Sequence, residues 1–189
     1  MTVIEFREIL KSNSVSDLEI VQNHLAFGKP YVFEDENKYF RLKKVISEHF
    51  RVSHEKVIMI GSAKLGFSIA PNKLWKPFND ESDIDMVVID DQVFNAFWKD
   101  LYSFEIELID RTTDDQKRYI KFLKYFFKGW IRPDLFPFDF KGKNEWEDFF
   151  KSISYKEFSE RKITGAIFKE MFFFENYHKQ NIKNLRLGE

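Results

Sequence analysis

Asp83 and Asp85 in "SDIDMVVID", and Gly61-Ser62 at the end of "KVIMI", are the residue types in this chain whose spacing suits chemistry. Side chains alternate along a strand, so the two aspartates share one face, about 7 Å apart along the chain. Carboxylates held that close repel, and a divalent cation relieves the repulsion best. A hard ion such as Mg²⁺ (or Mn²⁺) takes one or two carboxylates together with triphosphate oxygens. A strand that ends in Gly-Ser and runs into a turn or helix offers backbone amides and a hydroxyl to an anion such as phosphate. Lys64 lies close enough in sequence to add positive charge to that cradle. An ion and a phosphate cradle together suit phosphoryl or nucleotidyl transfer, in which bound metal neutralises the leaving pyrophosphate and lowers the pKa of the attacking hydroxyl. The alternative reading makes Asp83 and Asp85 solvated carboxylates at a strand's entrance, beside Asp80 and Glu81 in an acidic loop.

The elements that must position these residues follow from patterning. "KVIMI" (56–60) and "IDMVVI" (84–89) are short, apolar and β-branched, as buried strands are. Between them Gly66, Pro71, Pro77 and Asn79 mark a turn-rich segment. Upstream, Ser16 caps a short helix over "DLEIVQNHL", and "NKYFRLKKVISEHF" repeats the helical period. After Asp90, Phe94, Phe97, Trp98, Leu101, Phe104 and Leu108 line one face of a helix, with an alternating strand over "FEIELI" as the rival reading. "TDDQKRYIKFLKYFFKG" has a Thr cap, early acids, late lysines and a terminal Gly129, all helix-end signals. "WIRPDLFPFDF" is a loop or a short edge strand, because proline cannot donate to a ladder. From Tyr155 onward, Ile163, Ile167, Met171, Phe174, Tyr177, Ile182 and Leu185 predict one long C-terminal helix. The expected fold is α/β (α+β), a small mixed sheet flanked by helices. It is read as one domain with a helical N-terminal part (1–54), a core (55–140) and a helical C-terminal part (141–189).

Gly-Ser after an apolar strand, followed by "SDIDMVVID", resembles the nucleotidyltransferase superfamily that includes DNA polymerase β. The likeness covers about 35 residues directly. It implies that Gly61 and Ser62 hold nucleotide phosphates, that Asp83 and Asp85 ligate Mg²⁺, and that a third carboxylate on a later strand completes a two-metal site. The best match for that third carboxylate is Asp139 in "FPFDF", ahead of Asp134, Glu105 and Glu107. The interval from Ser62 to Asp83 is longer than most members show, and its Lys73, Trp75 and Lys76 are candidates for a lid or substrate contact. The implied activity is transfer of a nucleoside monophosphate from a triphosphate to a hydroxyl of protein, RNA or a small molecule. By analogy with antitoxins and anti-phage enzymes of the superfamily, the implied setting is bacterial defence or a toxin-antitoxin system. The runner-up reading is a degenerate relative that binds nucleotide as a sensor or interaction subunit, and a third is a plain helical interaction module.

Composition narrows the remaining classes. Among 189 residues, 43% are hydrophobic and 32% charged, which predicts a folded globular chain. The 23 phenylalanines predict an aromatic interior. A net charge of −1 gives no global attraction to nucleic acid or anionic membrane. Without cysteine there is neither a disulfide nor a thiolate metal site. The acidic start and the lack of any apolar run near 20 residues predict a cytoplasmic chain with no membrane span. His24, His49, His54 and His178 lack metal-ligand spacing and read as structural. Phe172, Phe173 and Phe174 cannot all face one side of a helix, so two readings stand equally: a surface for a protein partner or a homo-oligomer, or a wide core face. Arg161, Lys162, Lys179 and Lys183 read as a solvated basic face.

Overall fold

Short β-branched runs make the sheet. The computed structural model describes residues 1–104 and 110–188. Among these, β1 (Val57–Ile60), β2 (Ile84–Ile89), β3 (Trp130–Ile131) and β4 (Ile163–Phe168) form one mixed sheet in the order β1-β2-β4-β3. β1 runs antiparallel to β2, β2 parallel to β4, and β3 antiparallel to β4. "WIRPDL" thus yields a two-residue edge strand followed by a 3₁₀ turn at Pro133–Leu135, as its proline demands.

β4 corrects the expectation of a single C-terminal helix from Tyr155. Ile163–Phe168 is a strand, and the helix α8 begins only at Met171 and ends at Arg186. The sheet therefore draws a strand from beyond the expected core of 55–140. A strand covered on both faces shows no alternation, so the Ile163 and Ile167 spacing fitted either period. Gly165 is the local clue. A Cβ there would come within 2.1 Å of the Phe150 ring on α7 (Lys141–Ile153), so glycine is what lets that ring lie against the strand.

Helices cover both faces. On one face Met59, Ile84, Met86 and Val88 pack against Leu42 and Ile46 of α3 (Glu36–Phe50), Phe94 and Phe97 of α5 (Asp91–Tyr102), Phe122 of α6 (Thr113–Phe126), and Trp146 and Phe150 of α7. On the other, Ile58, Val87, Ala166 and Phe168 pack against Phe6 and Leu10 of α1 (Val3–Lys11), Ile20 of α2 (Asp17–Ile20) with the π-helical turn that follows it, and Phe174 and Ile182 of α8. Phenylalanine fills both cores.

Ser16 caps α2 as expected, whereas the cap of α6 is Thr112, one residue before the Thr at the head of "TDDQKRYIKFLKYFFKG". Thr2, Ser16 and Thr112 each form a capping box, and Asp90 accepts from the amides of Gln92 and Val93 at the start of α5. α5 ends at Tyr102, while the rival strand over "FEIELI" falls largely at 105–109, outside the described residues. Among the described residues no helix is long and apolar enough to cross a membrane.

Candidate functional site

The open end of the second face gathers the polar groups. In the β1-β2 ladder Ile60 is level with Asp85, so the chain leaves β1 at Gly61 beside that carboxylate. A Cβ on Gly61 would lie 3.0 Å from Asp85 Oδ2, and Gly61 has φ +72°. Both facts require glycine there: the left-handed backbone disfavours a side chain, and a side chain would occupy the space beside the carboxylate. Gly61 then opens the single-turn helix α4 (Gly61–Leu65), whose preceding residue Ile60 supplies no side-chain cap.

Asp85 is fixed from the other side by β4. Thr164 is level with it in the parallel register, and the Thr164 hydroxyl donates to Asp85 Oδ1 at 2.7 Å. Burial pushes the Asp85 carboxyl above its ordinary range, the Thr164 hydrogen bond opposes that, and the Asp83 charge adds to the rise. Asp83 itself is exposed, just before β2 begins, and near enough for its charge to be felt at Asp85.

The entrance to β2 is built by Arg161, which sequence reading placed on a solvated strip. Its guanidinium donates to the backbone carbonyls of Asn79 and Ser82 and pairs with Asp80 at 2.9 Å, while lying 4.7 Å from the centre of the Phe78 ring. One residue on, the Lys162 carbonyl accepts from the Ile84 amide at 2.9 Å. The loop carrying Asp83 is thereby tied to the start of β4.

Arg132 and Asp134, just past β3, complete the polar end. Arg132 Nη2 lies 2.7 Å from Asp134 Oδ2 and Nε lies 3.2 Å from Oδ1. Both charges are felt at Asp85, Arg132 lowering its carboxyl pKa and Asp134 raising it.

Other expected site residues have other partners. The buried Lys64 ammonium donates to the carbonyls of Phe27 and Gly28, and burial, aided by Lys43, pushes it down to about 8. Asp139 is exposed and pairs with Lys143 at 2.9 Å, whose ammonium also donates to the Phe136 carbonyl. Glu105 and Glu107 lie outside the described residues. In the long interval after Ser62, Trp75 packs on Phe67 and Phe6, with ring centres 5.9 and 6.3 Å away, which roots the segment on α1; Lys73 and Lys76 are exposed.

Asp83 and Asp85 are oxygen donors of the kind a hard cation takes, and the Gly61 turn leaves space beside Asp85 that a side chain would fill. A second cation fits less well. Among the described residues no three His, Cys, Asp or Glu side chains are grouped so as to hold a metal, and the strand beside β2 offers the Thr164 hydroxyl opposite Asp85. Thr164 and Arg132 escaped sequence reading. The first lay in a segment read as helix; the second lay in plain view in "WIRPD", but its relation to Asp85 depends on pairing across the sheet. Compared with known proteins, the chain matches no family model, no curated protein and no solved structure.

Proposed function

We propose that the chain is a Mg²⁺-dependent nucleotidyltransferase, moving a nucleoside monophosphate from a triphosphate to a hydroxyl acceptor. The observation that carries this reading is the meeting of Gly61 with Asp85 Oδ2, which leaves room beside a half-buried carboxylate that any side chain would fill. Asp83 and Asp85 would hold the ion, which when bound neutralises triphosphate charge. Gly61 and Ser62 would receive the phosphates. Thr164 keeps Asp85 in one orientation, so little reorganisation is left for the moment of reaction. In the transfer the acceptor oxygen bonds to the α-phosphorus, the bond to pyrophosphate breaks, and the hydroxyl proton leaves to solvent.

A second reading is binding without turnover, as a nucleotide sensor or interaction subunit. Thr164 favours it, because a hydroxyl on the neighbouring strand does not supply the third carboxylate that the resemblance calls for. Incubation with each labelled triphosphate and Mg²⁺ separates the two. Transfer of label by the wild type and its loss in both D83A and D85A support the enzyme. Saturable binding without transfer supports the sensor, and neither binding nor transfer refutes both.

A further inference from the structure

Arg132 has the chemistry of a phosphate ligand, and its guanidinium is already held in place by its neighbours. Its guanidinium lies 5.4 Å from the Trp130 ring centre and 5.7 Å from that of Tyr125, which restricts its plane. Asp134 takes Nε–H and one Nη2–H. A guanidinium has five N–H donors, and among the described residues no hydrogen bond engages the other three. The side chain is 32% exposed, so those donors remain reachable from solvent. β3 runs antiparallel to β4, with Ile131 level with Ile167, so Arg132 extends from β3 toward the sheet end that carries Thr164 and Asp85. Its charge and that of Asp85 are mutually felt.

We propose that Arg132 is the anion-binding residue of this site, held by Asp134 and the Trp130 and Tyr125 rings so that its remaining donors take oxygens of a di- or triphosphate. This rests on the nucleotide reading above and adds to it. A fixed guanidinium supplies, without a metal, part of the charge neutralisation that two carboxylates with a single cation leave undone. Phosphate recognition should then have a component that does not depend on divalent metal.

The test is calorimetric titration of the full chain with inorganic pyrophosphate and with ATP, each in Mg²⁺ and in EDTA. Wild type, R132Q, R132K and D83A are compared, with circular dichroism melting as a check on folding. The expected result is a loss of pyrophosphate affinity of about tenfold or more in R132Q in both buffers. R132K, which keeps the charge but not the fork, should recover part of it. D83A should weaken ATP binding in Mg²⁺ and spare pyrophosphate binding in EDTA. A folded R132Q that binds both ligands as the wild type does would overturn the role of Arg132 and leave the nucleotide reading standing. If R132Q melts early, a folded R132K carries the decision: unchanged pyrophosphate affinity overturns the role, and an intermediate loss supports it. Wild-type protein that binds neither ligand in either buffer would overturn both proposals.

Discussion

Burial disfavours the charged form of Asp85, and this has a measurable sign. The folded carboxyl has a raised pKa relative to an unfolded chain. Below the unfolded pKa both states are protonated and the group contributes nothing. As pH climbs from the unfolded to the folded value, the unfolded chain ionises first and stability falls; above both, the penalty is constant. D85N removes that penalty and leaves an amide that can still accept from Thr164. At neutral pH without divalent cation it is therefore expected to melt at a higher temperature than the wild type, while losing Mn²⁺ binding in a metal titration. A lower melting temperature would show that the charge is compensated inside the fold. Stability given up at a site for the sake of its chemistry is a familiar trade. At this scale the sequence was informative where neighbours in the chain are neighbours in space. Gly61, Ser62, Asp83 and Asp85 could be picked out by type and spacing, whereas Thr164 meets Asp85 across 79 positions, a distance no local pattern spans.

Among the elements, β4 decides the architecture and was the hardest to read. Its two-sided burial erased the alternation that separates strand from helix, and only Gly165 and the β-branched Ile163, Thr164 and Ile167 argued for a strand. G165A tests the packing directly. The new methyl would collide with the Phe150 ring, and overpacking of this kind costs about 1–3 kcal/mol or more. Urea denaturation is expected to show that loss in full, and the cost of G165A should shrink when it is measured in an F150A background. The link between β4 and the Asp83 loop has its own test. Arg161 holds the carbonyls of Asn79 and Ser82, and R161A is expected to destabilise the chain by about 1–3 kcal/mol as charge-assisted hydrogen bonds are lost. Amide exchange should quicken at 79–83 more than elsewhere. Periodicity made α5 legible in advance, caps made α6 so and prolines the β3 edge; the start of α8 was not, because it depends on where β4 stops.

For the molecule as a whole, two aromatic cores clasp one sheet, and the second core is closed by the chain's two ends. Arg186 near the end of α8 donates to the carbonyls of Leu10 and Ser12 at 2.8 Å each and pairs with Asp17 at 2.7 Å. Inside this core His178 packs against Phe174 and Phe168, has no hydrogen-bond partner among the described residues, and is pushed down to about 4 by burial. A depressed histidine pKa means that the unfolded chain takes up its proton near pH 6.5 while the folded chain does not. Stability is thus full above about pH 6.5 and falls as pH drops toward 4, by about 3 kcal/mol for this group. H178F, a core-sized replacement, is expected to flatten the stability profile between pH 7 and 4; an unchanged acid slope would place the sensitivity elsewhere. The sheet end that this whole arrangement presents to solvent is the central claim, and a crystal grown with Mn²⁺ and a non-hydrolysable nucleoside triphosphate tests it most directly. Anomalous signal between the carboxylates of Asp83 and Asp85, with phosphate oxygens against Gly61 and Ser62, is the expected result. Nucleotide bound elsewhere, or Mn²⁺ that leaves both aspartates untouched, would contradict it.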